Sequence, residues 1–206
     1  MKTRTHVILF LTAIITLTVG SAFGAYSGGS GTAPDPYQIT TKQDLLALAA
    51  NTADYGKCFI LTADIDMEGQ VFTTAIIAPD TISGSGFQGT SFKGTFDGND
   101  HKIANITINS VSNDYLGLFG RINSSGLVKN LGLENFAVSG TSGSDYVGGL
   151  VGFNYGSISN CYSTGTVSGT YYNVGGLVGR NYGGSISNCY STCAVSGTDS
   201  VGGQVG

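Results

Sequence analysis

The C-terminal part of this 206-residue chain, from Val147 to Gly206, repeats one pattern at a fixed interval. The block Val-Gly-Gly-Leu-Val-Gly occupies positions 147–152 and 174–179, and positions 201–206 repeat it with Gln in place of Leu. Between these equally spaced blocks, Ser-Ile-Ser-Asn-Cys-Tyr-Ser-Thr occurs at 157–164 and again at 185–192. A fixed period of roughly 20–50 residues is the signature of a repeat architecture. Each unit holds three short β-prone pieces, so we predict an all-β chain folded as a parallel β-helix (β-solenoid), with one rung per repeat.

The composition agrees with a fold held together by backbone ladders. Charged residues make up 11% of the chain and Gly accounts for 33 residues, whereas ordinary soluble domains carry roughly 25% charged residues. Stacked repeats need tight corners, which Gly supplies. The formal net charge is −4, and the Lys and Arg residues do not cluster into the basic face of a nucleic-acid binder. We therefore predict no nucleic-acid partner.

The N-terminus reads as a secretory signal peptide over residues 1–24. Lys2 and Arg4 supply the basic start, residues 7–19 the apolar run, and Ala-Phe-Gly at 22–24 a small-x-small cleavage site. The alternative is a membrane anchor, but the apolar run is shorter than a spanning helix prefers. We predict a secreted or cell-surface protein with no membrane span after cleavage.

The remaining chain divides into three predicted parts. Residues 25–36 are rich in Gly, Ser and Ala and are predicted to be a flexible leader. Residues 37–114 are predicted to hold an N-terminal cap and irregular β-helix coils. Residues 115–206 are predicted to be regular solenoid repeats, because Tyr-Leu-Gly-Leu-Phe-Gly at 115–120 resembles the later blocks. The sequence ends one strand into a new coil, so we expect a repeat domain truncated at its C-terminus.

A single amphipathic helix is predicted before the repeats. Thr41 and Asp44 have the spacing of a capping box, with Asp in place of the usual Glu or Gln. The pattern that follows predicts a helix over residues 42–50, with Leu45 and Leu48 on its apolar face. We expect this helix to cover the first coil, which would otherwise expose its core and its strand edges.

Equal spacing predicts which side chains stack between rungs. The expected buried columns are Leu150 with Leu177, Ile158 with Ile186, and Val167 with Val195. Asn160 and Asn188 are expected to form a ladder at a corner. Upstream, either Ile103 alone or Ile106 with Ile108 faces the core, unless a bend near Asn105 brings all three inward.

Four cysteines lie outside the predicted signal: Cys58, Cys161, Cys189 and Cys193. They have no CxxC spacing and the repeats have no histidine, so we predict no zinc site and no cofactor. Cys161 and Cys189 hold the same place in consecutive repeats, within reach of a disulfide. In-register neighbours point their Cβ atoms the same way, which would strain that bridge. A stack of buried thiols is the alternative, and we predict free thiols.

The repeats resemble the GLUG-motif family of bacterial secreted and surface proteins, whose units centre on Gly-Leu-Val-Gly. Residues 149–152 and 176–179 carry that core, so residues 115–206 are predicted to be GLUG-type repeats. The resemblance implies a β-helical secreted or surface protein and supplies no activity. Some family members are metallopeptidases that cleave immunoglobulins, but their His-Glu-x-x-His zinc motif is absent from this sequence.

Five acidic residues are candidates for chemistry or metal binding: Asp64, Asp66, Glu68, Asp97 and Asp100. Asp64 and Asp66 share one face of their strand, about 7 Å apart, and would form a catalytic acid pair if they lined a groove. We favour the alternative that they are solvated residues at a strand end. Asp97-Gly-Asn-Asp100 offers oxygen ligands for Ca²⁺, but it lacks the length of a calcium loop and we favour an ordinary turn.

Two tyrosine pairs are the candidate ligand-facing residues. Tyr155 and Tyr182 hold the same place in consecutive repeats, and so do Tyr162 and Tyr190, so each pair should stack along the solenoid. An exposed row of aromatic rings can pack against sugar rings or a protein partner. The structural alternative is that the rings stack only on each other to stabilise adjacent rungs.

These features predict a non-enzymatic exported β-solenoid that presents a repetitive surface for adhesion or scaffolding. Its expected partner is a cell-surface protein or a polysaccharide. The alternative is a carbohydrate-binding or carbohydrate-degrading β-helix protein. An enzyme needs convergent carboxylates in a groove, whereas an adhesin needs only a long repetitive face. The uncapped last coil also predicts end-to-end self-association of the chain.

Overall fold

The computed structural model describes residues 25–82, 84, 86–141, 143 and 145–206. In this part of the chain the backbone winds as a parallel β-solenoid with one short α-helix near its N-terminal end. The predicted fold class is therefore confirmed. The signal peptide predicted at residues 1–24 lies outside the described residues.

The strands are short and follow one another with tight corners between them. In chain order they are β1 (Tyr37–Ile39), β2 (Cys58–Leu61), β3 (Ile65–Phe72), β4 (Thr95–Asp97), β5 (Lys102–Ser110), β6 (Phe119–Ile122), β7 (Leu127–Lys129), β8 (Gly132–Gly140), β9 (Val147–Gly148), β10 (Val151–Asn154), β11 (Ser157–Ser159), β12 (Tyr162–Gly169), β13 (Val174–Gly175), β14 (Val178–Asn181), β15 (Ser185–Ser187), β16 (Tyr190–Ser191), β17 (Ala194–Ser196) and β18 (Val201–Gly202). An α-helix, α1 (Lys42–Ala50), and a 3₁₀ turn (Thr52–Asp54) lie between β1 and β2.

Four parallel ladders form the sides of the solenoid. Sheet 1 has the order β1-β2-β4-β7-β11-β15, and sheet 2 has the order β14-β10-β6. Sheet 3 has the order β16-β12-β8-β5-β3, with β17 also paired to β12, and sheet 4 has the order β18-β13-β9. Because neighbours in each ladder come from successive coils, equivalent repeat positions lie in register, about 4.8 Å apart.

The predicted core columns are confirmed. The amide of Leu150 donates to the carbonyl of Leu177 at 2.9 Å, and both side chains are fully buried. Ile158 pairs with Ile186, and Val167 pairs with Val195. Ile158 and Val167 are buried, whereas their partners in the following rung are only partly buried.

Close backbone approach explains the last Gly of the Val-Gly-Gly-Leu-Val-Gly block. A Cβ atom on Gly152 would lie 2.6 Å from the carbonyl carbon of Tyr115, and one on Gly179 would lie 2.6 Å from that of Tyr146. Real Cβ contacts are essentially never that short. The repeated Gly therefore lets successive coils stack at strand spacing.

The corner between sheet 1 and sheet 3 carries the predicted asparagine ladder. The Asn188 side-chain amide donates to Asn160 at 3.3 Å, and that of Asn160 donates to Asn130 at 3.0 Å. Asn130 in turn donates to Asp97 at 2.9 Å. All three asparagines have φ of +52°, a left-handed conformation that Asn tolerates better than other non-glycine residues. The ladder is thus one rung longer than predicted and ends on a carboxylate.

Of the alternatives for Ile103, Ile106 and Ile108, the structure shows the one with a bend near Asn105. Asn105 has φ of +61°, and Ile103, Ile106 and Ile108 are all buried. Asn135 takes the equivalent place in β8 with φ of +47°, and its amide donates to the Asn105 side chain. The bend therefore repeats in two rungs and turns every isoleucine of β5 inward.

The N-terminal helix closes the first coil as predicted. Thr41 and Asp44 form both hydrogen bonds of a capping box, and α1 buries Leu45 and Leu48 completely. The Asp44 carboxylate also accepts a hydrogen bond from Ser27 at 2.7 Å. Burial opposes ionisation of this carboxyl, but the hydrogen bonds from Ser27, Thr40 and Thr41 outweigh it and lower its pKa.

The chain from Cys58 to Phe72 forms two strands. The pattern over residues 58–66 predicts a single strand, but β2 ends at Leu61 and a new strand, β3, begins at Ile65. β3 then runs to Phe72 through left-handed residues at Glu68 and Gly69. The register of β3 against β5 shifts at this point, as it does at a β-bulge. The predicted division into leader, cap and repeats stays a prediction.

Candidate ligand-binding face

The outer face of sheet 2 carries a column of cationic and aromatic side chains. Arg121, Phe153 and Arg180 hold equivalent positions in β6, β10 and β14. The Arg121 guanidinium lies 6.0 Å from the centre of the Phe153 ring, and the Arg180 guanidinium lies 5.6 Å from it. Both distances fall within the range of a cation–π contact. Phe153 is buried between them.

Aromatic rings border this column on both sides. Tyr155 and Tyr182 follow β10 and β14, and their rings meet edge to face with centres 5.5 Å apart. Arg121 lies 4.9 Å from the centre of the Tyr155 ring, and Arg180 lies 5.4 Å from that of Tyr182. We call this surface the arginine–aromatic face, defined by Tyr115, Arg121, Tyr146, Phe153, Tyr155, Arg180 and Tyr182.

Tyr115 and Tyr146 form the opposite border, and their backbone is strained. Their ring centres lie 5.0 Å apart. Tyr115 has φ of +58° and Tyr146 has φ of +61°, while the same corner of the next two rungs holds Asn173 and Ser200. A left-handed conformation costs a bulky residue about 1 kcal/mol, and strain of this kind concentrates at functional sites. The chain thus places tyrosine where a smaller polar residue fits with less strain.

Neither arginine of this face forms a salt bridge in the part of the chain that the structure describes. The salt bridges found there are Lys42–Glu68, Lys102–Glu134 and Lys129–Asp97, and His101 contacts Asp64 at 3.0 Å. Asp114 and Asp145 lie in the corners that precede Tyr115 and Tyr146. Asp114 accepts a hydrogen bond from the Asp145 amide at 2.9 Å. Burial raises the pKa of both carboxyls, although the Arg180 charge partly opposes the shift of Asp145.

The second predicted tyrosine pair lies on a different face. Tyr162 and Tyr190 belong to sheet 3, and their rings stack nearly parallel, 6° apart in orientation, with centres at 5.3 Å. The Tyr162 hydroxyl donates to Glu134 at 2.7 Å, and this bond, with burial, raises the pKa of Tyr162 to about 12. Of the two predicted tyrosine pairs, the structure therefore places Tyr155 with Tyr182, and not Tyr162 with Tyr190, beside the arginines. A ligand-facing role for either pair stays a prediction.

A shallow groove runs along the outside of sheet 3, where the strands bend. Its cavity has a volume of about 610 Å³. We call it the acid-lined groove; its lining includes Asp66, Glu68, Asn105 and Asn135, and it continues past Asp64, Lys102 and Glu134. The groove lies where the register of β3 against β5 shifts and where β5 and β8 bend at the left-handed Asn105 and Asn135.

The candidate acids of this groove are each bonded to a different partner. Asp64 accepts hydrogen bonds from the Lys102 amide and from His101, and both lower its pKa. Asp66 accepts from the Asn105 amide group at 2.8 Å and from the Glu68 backbone amide, and these bonds lower its pKa. Among the described residues, no three His, Cys, Asp or Glu side chains are close enough to hold a metal ion.

The segment from Asp97 to Asp100 forms a tight turn. The His101 amide donates to the Gly98 carbonyl at 2.8 Å. Asn99 and Asp100, the central residues, have φ of +50° and +63°, as in a type I′ turn. Asp97 forms a salt bridge with Lys129 at 2.7 Å. Burial opposes ionisation of Asp97, but the bonds from Lys129 and Asn130 outweigh it and lower its pKa.

All four cysteines are thiols in the structure. Cys161 is buried, and its amide donates to the Cys189 sulfur at 3.4 Å. The hydrogen bond between the two thiols raises the pKa of Cys161, as does burial, and it lowers the pKa of Cys189. Free thiols therefore stay the prediction for the protein in solution.

Sequence reasoning missed Arg121 and Arg180 as a pair. Each follows directly the last Gly of a repeat block, at 120 and 179, and Phe153 follows the equivalent Gly152. Comparing only identical residues hides this column, since its members alternate in chemistry. Comparing the outward position of each repeat reveals it.

Within the described residues, no helix has the length and apolar character needed to cross a bilayer.

The comparisons with known proteins agree with the repeat assignment. Residues 143–168 and 170–198 match the family described as the GLUG motif. Halomucin from Haloquadratum walsbyi is 36% identical over 168 residues, which cover 78% of this chain and 2% of halomucin. A candidate Gly-rich membrane protein from Evansella cellulosilytica is 35% identical over 162 residues, which cover 74% of this chain and 17% of that protein. The chain thus spans a small part of these relatives.

A solved structure shares the fold. The crystal structure of a candidate immunoglobulin A1 protease from Bacteroides ovatus is 27% identical to this chain, with a TM-score of 0.62. The match covers 89% of this chain and 65% of that chain. This chain therefore carries GLUG-motif repeats, at residues 143–168 and 170–198.

Proposed function

We propose that this chain is an exported, non-enzymatic β-solenoid whose outer surface serves adhesion or scaffolding. The observation that carries the proposal is the arginine–aromatic face, which continues over three neighbouring strands of sheet 2. A face repeated along a solenoid offers an extended binding surface, and repeated weak contacts raise the overall affinity for a repetitive partner. The proposed partner is a cell-surface protein or a polysaccharide.

Export rests on the N-terminal sequence, with its basic start and apolar run. One relative is named as a Gly-rich membrane protein, which supports a secreted or cell-surface location. Fractionation of producing cells tests this step. The full chain should reach the medium or the cell surface, and removal of residues 1–24 should keep it inside. Equal export of both forms would contradict the proposed signal.

The alternative function is a carbohydrate-degrading one, favoured by the acid-lined groove. A groove with several carboxylates along a β-helix is where such chemistry would take place. The carboxylates there hold separate hydrogen-bond partners, so a catalytic pair would first require these bonds to rearrange. The Bacteroides ovatus neighbour adds proteolysis as a second reaction to test.

One experiment separates binding from catalysis. The exported chain is run through native gels that contain a panel of polysaccharides, and the same samples are assayed for new reducing ends. Immunoglobulin A1 is incubated in parallel and examined for fragments. Retardation in at least one gel without products supports the proposal. New reducing ends or immunoglobulin fragments would overturn it in favour of an enzyme.

End-to-end association is a further part of the proposal. The side chains of the last coil that contact the core are only partly buried, among them Ile186, Val195 and Val205. Sheet edges and apolar ends of this kind recruit another chain. We expect the apparent mass in size-exclusion chromatography to rise with concentration. A constant monomer mass at high concentration would contradict self-association.

A further inference from the structure

We infer that the arginine–aromatic face binds acidic polysaccharides, with the guanidinium groups on the carboxylates and the tyrosine rings on the sugar faces. The inference rests on the proposed binding function and names its ligand class. It uses the residues of the arginine–aromatic face alone and gives the acid-lined groove no role in binding.

The first step is that the cationic groups are available. A guanidinium carries five N–H donors in a planar fork that matches a carboxylate. In the described part of the chain, neither Arg121 nor Arg180 forms a side-chain hydrogen bond or a salt bridge. Both side chains are only partly exposed, because aromatic rings pack against them. Such partial desolvation strengthens their interaction with an anion.

The second step is that aromatic surface lies beside each charge. Tyr182 is 56% exposed, and Tyr155 is partly exposed next to it. Tyrosine offers a rigid apolar ring with a polar hydroxyl, a combination that suits a sugar with its C–H face and hydroxyl rim. A polyanion without such rings, or a small inorganic anion, would use the arginines and leave the tyrosines without a contact. The combination therefore favours a saccharide that also carries negative charge.

The third step is that the face is linear. Arg121 and Arg180 lie in strands two rungs apart, on either side of β10, which corresponds to roughly 10 Å along the solenoid. The strained Tyr115 and Tyr146 border the same column. An extended chain with repeating carboxylates can therefore run along the stacking direction and meet both guanidinium groups. A compact ligand would meet only one of them.

The acid-lined groove provides the contrast that supports this choice. Its cation Lys102 forms a salt bridge with Glu134 at 2.8 Å, and Glu134 also accepts the Tyr162 hydrogen bond. Glu134 therefore compensates the charge of Lys102, which weakens the attraction of Lys102 for an external anion. The two faces thus differ in available charge, and Lys102 is the matched control for Arg180.

The test measures binding of the full chain to alginate, a polyuronate, and to its propylene glycol ester, in which the same carboxylates are neutral. Duplex DNA serves as a polyanion that carries phosphates in place of carboxylates and has no pyranose rings. We expect alginate to bind at least about tenfold more tightly than the ester or the DNA. Arg180→Gln should weaken alginate binding about tenfold, and Lys102→Gln should change it less than about twofold. Arg180→Lys, which keeps the charge and loses the planar fork, should fall between these variants.

The outcomes separate this inference from the proposed function. Equal losses for Arg180→Gln and Lys102→Gln, or equal binding of DNA and alginate, would show non-specific charge attraction and overturn the inference. If the chain binds only neutral polysaccharides or proteins, the inference fails and the proposed binding function stands. Circular dichroism of each variant checks folding. If Arg180→Gln does not fold, Tyr182→Ala replaces it, and unchanged alginate binding in that variant would overturn the inference.

Discussion

Two outer faces of the solenoid differ in whether their charged side chains are paired with an opposite charge. On the arginine–aromatic face, Arg121 and Arg180 stack on rings and form no salt bridge in the described residues. In the acid-lined groove, Lys102 is paired with Glu134 at 2.8 Å and Asp64 is paired with His101 at 3.0 Å. Both faces are parallel ladders, so the backbone does not cause the difference. The difference lies in which side chains occupy the outward positions.

The two faces also differ in regularity. Sheet 2 contains strands of equal length that pair without a register shift. Sheet 3 contains bulges, with shifts at Asp66/Gln70 and at Thr164/Gly165. Regular ladders stack equivalent side chains into rows, whereas bulges re-aim side chains and create a concavity. The same coil therefore carries a row of unpaired cations on its regular ladder and a groove of paired charges on its bulged ladder.

The largest expected effect on stability comes from a substitution in the buried core that lies behind both faces. Leu177 is fully buried, so Leu177→Asp would place an unpaired carboxylate inside the hydrophobic core of the solenoid. We expect a loss of about 4 kcal/mol in the free energy of unfolding, measured by urea denaturation. Thr166→Asp, at an exposed position of β12, is the matched control and should change stability little. An unchanged midpoint for Leu177→Asp would contradict the rung assignment.

A second prediction uses the opposite pKa shifts of two carboxyls. The folded pKa of Asp97 is lowered, so its contribution is present above the unfolded pKa of about 3.9 and is lost as pH falls through the folded value. The folded pKa of Asp114 is raised by burial, so its cost is absent below the unfolded pKa and grows as pH rises through the folded value. At pH 7, Asp97→Asn should cost about 2 kcal/mol, and Asp114→Asn should be neutral or stabilising.

Urea denaturation of both variants between pH 3 and pH 7 checks these signs. The difference in stability between Asp97→Asn and the unmodified chain should shrink as pH falls below about 4. The difference in stability between Asp114→Asn and the unmodified chain should also shrink as pH falls, but this difference has the opposite sign, because the variant is the more stable protein at pH 7. If both substitutions changed the free energy of unfolding at pH 7 in the same direction, the two carboxyls would not lie in contrasting environments.

A third prediction concerns the asparagine ladder at the corner of sheet 3. Asn160 donates to Asn130, accepts from Asn188, and has φ of +52°. Asn160→Ala loses the side-chain bonds and places a Cβ-bearing residue without them in a left-handed conformation, so we expect a cost of about 1.5 kcal/mol. Asn160→Gly removes the same side chain and relieves the backbone. It should cost clearly less, and equal costs would show that backbone conformation does not matter there.

The sequence predicts those parts of this molecule that depend on local spacing or on identical repeats. The capping box at Thr41, the Leu150–Leu177 column and the Asn160 ladder follow from such patterns, and the structure confirms them. The continuation of β3 through Glu68 was missed, because a bulge depends on the neighbouring coil. The Arg121–Arg180 column was missed because ladder register, not residue identity, brings these side chains onto one face.

The smallest expected effect compares one tyrosine from each face. Tyr146 has φ of +61°, so Tyr146→Asn would lose ring contacts with Tyr115 and Phe153 and would also relieve backbone strain of about 1 kcal/mol. Tyr162→Asn would lose the Tyr190 stack and the hydrogen bond to Glu134, with no such relief. We therefore expect Tyr146→Asn to cost roughly 1 kcal/mol less in urea denaturation than Tyr162→Asn. Because Tyr146 borders the arginine–aromatic face, its replacement should still weaken alginate binding, whereas Tyr162→Asn should not. Equal stability costs would remove the argument from strain, and equal binding would remove the functional distinction between the two faces.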